Sequence, residues 1–251
     1  QNFDEAVWLL HTIEKNRQVN VNQYDTLYYL QGLAHYKLHH FDTSVWRMNA
    51  IQTKSAFFVP SRFIVSYDYV MLQKYDTAQS VLLSQSFSRN EDKKNKYDML
   101  SGISLLKRDI AEFELYEKKY EQIGGEKTVW LEEYEKMKDF KPKSMVFAGV
   151  LSAMVPGLGK IYAGKTGEGI AAFFTVGTTG LLACENYRKS GWRNYKTIIF
   201  SSLFTIFYGG NILGSYYSVK RRRDEFYYKI DKDIREKIEK AVEKNAVYKK
   251  W

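Results

Sequence analysis

Few side chains in this sequence have a type and spacing that could perform chemistry. His35 and His39 lie four residues apart, as two metal ligands on one helix face would, but no third ligand accompanies them because Asp42 belongs to a turn. The string 159–166 (GKIYAGKT) fits the pattern GxxxxGK[ST], yet a phosphate-binding loop also needs a preceding β-strand, which the sequence does not predict. Cys184 is the only cysteine, which excludes an internal disulfide and a cysteine-cluster metal site. We therefore predict that the protein is not an enzyme and holds no cofactor or metal.

Two uncharged apolar runs organise the second half of the chain. Residues 197–219 form a run of 23 without a charge, and a helix of that length rises about 35 Å, enough to cross a hydrocarbon core of about 30 Å. Residues 169–184 form a second uncharged run of 16. A polar turn, ENYRKSGWRNYK, separates the two runs. This arrangement predicts a membrane helical hairpin.

The distribution of the formal charge of +9 argues against a nucleic-acid partner. Residues 1–143 hold 20 Lys and Arg against 20 Asp and Glu, whereas residues 144–219 hold six bases and two acids, and residues 220–251 hold twelve and seven. The excess therefore flanks the predicted membrane segment, where it suits anionic lipid headgroups. The predicted headgroup contacts are Lys220, Arg221, Arg222 and Arg223.

The first 143 residues contain a repeated pattern with a period of 34. The dipeptide Phe-Asp at 41–42 recurs as Tyr-Asp at 75–76, and it aligns with the same dipeptide 38 residues earlier, at 3–4. Apolar residues recur at spacings of three and four, which predicts helices throughout. A weaker copy follows at 98–120, where the spacing slips by one residue.

This pattern resembles the tetratricopeptide repeat (TPR) family over about residues 3–120. Gly32, Ala34 and Tyr36 match the small and aromatic positions of the first helix of such a repeat. The resemblance implies a superhelix whose first helices line a concave groove for a peptide or partner protein. By register, the groove positions are Tyr29, Leu33, Tyr36, Lys37, Phe63, Tyr67 and Met71. Aromatic side chains carry much of the energy of protein interfaces, so we predict a partner there; the alternative is that these rings only pack the superhelix.

A glycine-rich motif precedes the first apolar run. It has the pattern PGxGxxYxG and consists of Pro156, Gly157, Gly159, Tyr162 and Gly164, with Gly169 following. It resembles small bacterial membrane modules akin to the TM2 domain, over about residues 145–219. Because 145–155 is too short to span a bilayer and proline and glycine break the helix, we predict a re-entrant or interfacial segment at 145–164.

Small and polar residues in the second run predict close helix packing. Gly210 and Gly214 form a GxxxG face of the kind used between membrane helices, and Asn211 is predicted to hydrogen-bond within the bundle or to a partner. The number of spans stays open. Two spans favour a cytoplasmic loop at 185–196 with the repeats outside, whereas the cluster at 220–223 favours a third span beginning near residue 145.

The tail, residues 220–251, predicts an amphipathic helix. Its narrow apolar stripe consists of Phe226, Ile230, Ile234, Ile238 and Val242. The helix could lie on the membrane or pack against the repeats, and its mixed charges favour the repeats. Its acids Asp231, Asp233, Glu236 and Glu239 are predicted to face solvent. Residues 126–140 predict a helix that closes the repeat region.

Together these features predict an all-α protein in three parts: repeats at 1–143, a membrane module at 144–219 and the tail. The predicted function is a membrane-anchored scaffold or adaptor in a hetero-complex for envelope protein assembly, secretion or insertion. The alternative is an accessory membrane subunit whose hairpin does the work and whose repeats only dock it. We expect a multi-pass protein of a bacterial inner membrane, with the repeats in the periplasm or, alternatively, the cytoplasm. The initial Gln1 is expected to follow a cleaved secretory signal, with a truncated chain as the alternative.

Overall fold

The computed structural model describes residues 2–16, 23–126 and 129–246. Over these ranges the chain folds into helices joined by turns, without a β-strand, so the predicted all-α class is confirmed. Gln1, residues 127–128 of the predicted closing helix and the last five residues of the tail lie outside the described part. The helices are α1 Phe3–Lys15, α2 Tyr24–Lys37, α3 Phe41–Asn49, α4 Phe58–Met71, α5 Tyr75–Leu83, α6 Asn90–Lys107, α7 Ile110–Gln122, α8 Leu131–Asp139, α9 Met145–Met154, α10 Leu158–Tyr162, α11 Thr166–Ser190 and α12 Tyr195–Asn245.

The chain divides into two compact units. The first comprises residues 1–138 together with 230–251, and the second comprises residues 139–229. Residues 230–251 of the tail therefore group with the N-terminal helices, and residues 220–229 group with the second unit. The long helix α12 supplies residues to both units.

In the first unit, each helix from α1 to α7 packs against the next, and α4 also contacts α2 and α6. The 34-residue spacing reappears in the helices, since α3 and α5 begin at Phe41 and Tyr75 and each is nine residues long. Gly32 shows why a small residue is needed in α2. A Cβ at this position would lie 2.8 Å from Cγ of Met48 in α3.

Three turns of one kind join α2 to α3, α4 to α5 and α6 to α7. His39, Gln73 and Arg108 have positive φ angles of 59°, 58° and 65°. In each turn the N–H of the following residue donates to the carbonyl five residues before it, at 2.8–3.0 Å. This is the hydrogen bond that closes a helix through one left-handed residue. The third turn comes 35 residues after the second, so the one-residue slip in the sequence is also present in the structure.

The second unit consists of α9, a break, the single-turn α10 and two long helices. Helix α9 has ten residues, about 15 Å of rise, which is half a hydrocarbon core. Helix α11 is longer than the predicted first run because it extends to Thr166 and Ser190. The predicted second run and the amphipathic tail are one continuous helix of 51 residues. No proline or glycine between residues 215 and 246 interrupts α12.

Candidate functional site

The predicted groove positions form one aromatic face on α2 and α4. Tyr29, Tyr36, Phe63 and Tyr67 are each at most 3% exposed, while Leu33, Lys37 and Met71 are half-buried. Tyr36 and Tyr67 meet edge to face with ring centroids 5.6 Å apart. Two further stacked pairs extend this face, Tyr29 with Phe57 at 4.8 Å and Phe63 with Phe87 at 5.3 Å.

The tail segment of α12 covers this face. Glu239 hydrogen-bonds the hydroxyl of Tyr67, and Glu243 forms an ion pair with Lys37. Burial raises the pKa of the Tyr67 hydroxyl above its ordinary range, and the nearby Glu239 carboxylate raises it further. The apolar stripe is closed off from solvent, with Ile230, Ile234, Ile238 and Val242 each at most 2% exposed. Of the two placements left open for the tail, packing against the repeats is therefore confirmed.

Polar contacts fix the register of the tail along the first unit. Asp231 forms an ion pair with Arg108 at 2.7 Å, and Asn245 accepts a hydrogen bond from Asn95 at 3.0 Å. The expectation that the tail acids face solvent was therefore wrong for Asp231 and Glu239. Both side chains face the first unit, where Asp231 pairs with Arg108 and Glu239 pairs with Tyr67.

Sequence reasoning missed the ion pair that holds the middle of the tail. Lys237 donates to both carboxylate oxygens of Glu133 at 2.7 and 2.8 Å, and the side chain of Glu133 is 3% exposed. Lys237 also donates to the carbonyl of Val129 and lies 5.8 Å from the ring centroid of the fully buried Trp130. A lysine on a charged helix carries no sequence signal of such a partner.

The two histidines considered as metal ligands have separate environments. His39 occupies a left-handed turn, whereas His35 is buried, with its ring centroid 6.2 Å from that of His11 and 5.9 Å from that of His40. Burial lowers the pKa of His35, and the other nearby positive charges lower it further. Within the described residues, no group of three His, Cys, Asp or Glu side chains could hold a metal ion.

The glycines of the PGxGxxYxG motif allow close approach of the backbone at the break after α9. Gly157 has a φ of 89°, and a Cβ there would lie 2.0 Å from the carbonyl oxygen of Gly169. A Cβ on Gly159 would lie 2.0 Å from the carbonyl oxygen of Ala148. Gly164 also has a φ of 89°, and its missing Cβ makes room for the guanidinium of Arg222. At each position the space or the conformation excludes a larger residue.

A buried polar network satisfies the backbone that the break leaves free. The Gly157 N–H donates to Oδ1 of Asn211 at 3.1 Å, and Nδ2 of Asn211 donates to the carbonyl of Ser152 at 3.2 Å. The Gly159 N–H donates to Oγ of Ser152 at 3.0 Å, and this hydroxyl lies 2.6 Å from that of Ser215. Unpaired backbone groups are costly away from water, so these side chains stabilise the break.

Within the described residues, the predicted GxxxG face does not pack against another long helix, and only a side chain of the short α10 reaches it. A Cβ on Gly210 would meet nothing within 4 Å, and one on Gly214 would meet only the Lys160 side chain, at 3.5 Å from Cε. This face is open on the surface of the second unit.

The basic cluster at 220–223 divides between two sides of α12, as a helix requires. Arg222 donates to the carbonyl of Ala163 at 3.0 Å, and Lys143 donates to that of Tyr162 at 2.6 Å. These two cations, with Lys141 and Arg223, line a cavity of about 150 Å³ that also contains Asp139. Lys220 and Arg221 lie on another side, beside Tyr217 and Tyr228.

Two helices, α11 and α12, are long and apolar enough to cross a membrane, and only 11% of the most apolar stretch of each is buried. Helix α9 is apolar but shorter. Compared with protein-family models, curated proteins and solved structures, the chain matches none.

Proposed function

We propose that this protein is a membrane-anchored helical scaffold that binds a partner protein, in a complex for envelope protein assembly, secretion or insertion. The observation that carries this proposal is the combination of an aromatic-lined helical unit with two exposed apolar helices in one chain. Such a chain can hold a partner at a membrane surface without bond chemistry. The resemblance to tetratricopeptide repeats supports the groove as the binding face.

The contacts of the tail support an amphipathic helix as the ligand of the groove. It is a helix with an aliphatic residue at every fourth position and with acids that pair with groove groups, as Glu243 does with Lys37. Helix-in-groove recognition uses this spacing of anchors. We propose that the partner presents a similar amphipathic helix and exchanges with the part of the tail around Glu243 and Asn245.

For the setting, we propose a bacterial inner membrane with two spans, the repeats on the periplasmic side and anionic lipids at the basic cluster. The loop between α11 and α12 carries Arg188, Lys189, Arg193 and Lys196, which favours its placement in the cytoplasm. The cavity lined by Lys141, Lys143, Arg222 and Arg223 supports contact with lipid phosphates.

A photo-crosslinking side chain at Met71, in the intact protein in its native membrane, tests the groove. The expected result is one crosslinked partner that is lost in the double variant Tyr36→Ala/Tyr67→Ala. The double variant Glu243→Ala/Asn245→Ala removes only end contacts of the tail, so the crosslink should increase several-fold. A crosslinker at the exposed Lys93 is the matched control. A partner that crosslinks equally in all variants would refute binding in this groove.

A second candidate function places the activity in the membrane unit, with the repeats serving only to dock it. The observation that favours it is the broken helix with its buried network around Asn211 and Ser152, since irregular backbone at membrane depth often lines a functional site. In that case, the variant Asn211→Ala abolishes the activity of the complex while the Met71 crosslink remains.

A further inference from the structure

An open groove runs between α11 and α12 on the surface of the second unit. It has a volume of about 470 Å³ and is lined mainly by small and apolar residues, among them Ala171, Ile206, Phe207 and Gly210. The volume falls within the range of small-molecule sites. Because both helices are candidate membrane spans, the groove faces the acyl chains if the proposed membrane location holds.

One end of this groove carries a cation, Lys160. The side chain runs along Gly214, so that a Cβ there would lie 3.9 Å from its ammonium nitrogen. Glu168 lines the same groove but forms its ion pair with Lys165, at 2.9 Å. Within the described part of the chain, no carboxylate forms an ion pair with Lys160. Lys160 and Arg221 also act on Glu168 electrostatically, so this one acid is shared among three cations.

The position of Lys160 corresponds to the headgroup side of the bilayer. Gly214 precedes Lys220 by six residues in α12, which is about 9 Å along the helix axis. Lysine side chains at this depth extend toward the interface while their methylene stems stay in the apolar layer. The ammonium of Lys160 is therefore within reach of a lipid phosphate.

We propose that this groove binds one anionic phospholipid, with an acyl chain along Ala171, Ile206 and Gly210 and the phosphate at Lys160. The inference rests on the proposed membrane location. A lipid suits the groove better than a packing helix, because a helix would bury the Lys160 ammonium with only Glu168, which already pairs with Lys165, as a counter-charge. The phospholipid supplies apolar surface and anion in one molecule.

Native mass spectrometry of the full chain, titrated in detergent with phosphatidylglycerol or phosphatidylcholine, tests the proposal. The expected result is one retained phosphatidylglycerol per chain and little phosphatidylcholine. Lys160→Gln should weaken retention about fivefold or more, and Gly210→Leu should weaken it similarly by filling the groove without a change of charge. Lys229→Gln removes an exposed cation outside the groove and should have no effect.

Several outcomes would overturn the proposal. Equal retention in Lys160→Gln and in the wild type would exclude the phosphate contact, and unchanged retention in Gly210→Leu would reduce the effect to surface charge. Competition by inorganic phosphate would indicate a free-anion site, and a dimer lost in Gly210→Leu would assign the groove to a second copy. Extraction of the wild type from membranes by alkaline carbonate distinguishes a failure of the lipid-groove proposal from a failure of the proposed membrane location. A chain released by carbonate refutes the membrane location itself, whereas an integral chain without bound lipid refutes only the groove.

Discussion

At the scale of single residues, the burial of Asp98 links the protonation of its carboxyl to the stability of the fold. Its carboxyl lies near Trp130, which donates its indole N–H to the Asp98 carbonyl at 2.8 Å. Burial raises the pKa of Asp98 to about 6, and the charge of Glu117 raises it further, while the nearby Trp130 indole and the charge of Lys237 act in the opposite direction. An unfolded aspartate titrates near pH 4, so the folded state holds this proton more tightly.

A pH dependence follows from Asp98. Its contribution to stability is complete below about pH 4 and is lost as the pH rises through about 6. As the pH rises from about 4 to above 6, we expect the free energy of unfolding of the wild type to decrease relative to that of Asp98→Asn, by at most about 3 kcal/mol. Denaturant titrations of the intact protein in detergent at pH 4, 5, 6 and 7 measure the difference. The same titrations of Glu91→Gln, which changes an exposed acid of the same helix, should run parallel to the wild type.

The glycines of the break after α9 could be predicted from the sequence only in part. The PGxGxxYxG motif was visible in the sequence, and a helix break after α9 was predicted from it. The need for glycine at 157 depends on the carbonyl of Gly169, twelve residues later, and on Asn211 in another helix. A local pattern records that a residue is small, but the atom that would clash with a side chain is set by tertiary packing.

At the scale of elements, the tail of α12 is part of the interior of the first unit. Its stripe of isoleucine and valine was readable from the sequence, and so was the preference for packing on the repeats. The covered surface was not readable, because a stripe shows only that a face is apolar. The groove positions and the tail were predicted separately, and the structure joins them at Tyr67 and Glu239.

A core substitution in the tail should therefore destabilise the whole first unit. Ile238 is 1% exposed, and truncating a buried isoleucine to alanine costs about 2–5 kcal/mol. We expect Ile238→Ala to increase hydrogen exchange in α2 and α4 as well as in residues 230–246. Lys240→Ala, at an exposed position of the same helix, should leave exchange unchanged. Faster exchange confined to the tail would show that the tail lies on the unit without contributing to its cooperative stability.

At the scale of the whole molecule, the number of membrane crossings decides which parts of the chain share a compartment. Helices α11 and α12 can each cross once, while α9 ends at Met154 after ten residues and is followed by a break. Two crossings return the chain to the side from which it started. The sequence left a third span open because residues 145–162 are apolar, and the structure divides that stretch into α9 and α10.

Single-cysteine labelling tests this topology in the intact protein. In a Cys184→Ser background, cysteines replace Lys143 before α9, Trp192 between α11 and α12, and Lys229 after the basic cluster. Two crossings predict that the cysteines at 143 and 229 react with a membrane-impermeant maleimide from the same side, and that the one at 192 reacts only from the other. Three crossings would place 143 and 229 on opposite sides, because a third span between them reverses the direction of the chain.

Labelling at 192 from the cytoplasm would support periplasmic repeats, since the loop and the repeats are then separated by one span. The opposite labelling would place the repeats in the cytoplasm and leave the two-span hairpin intact.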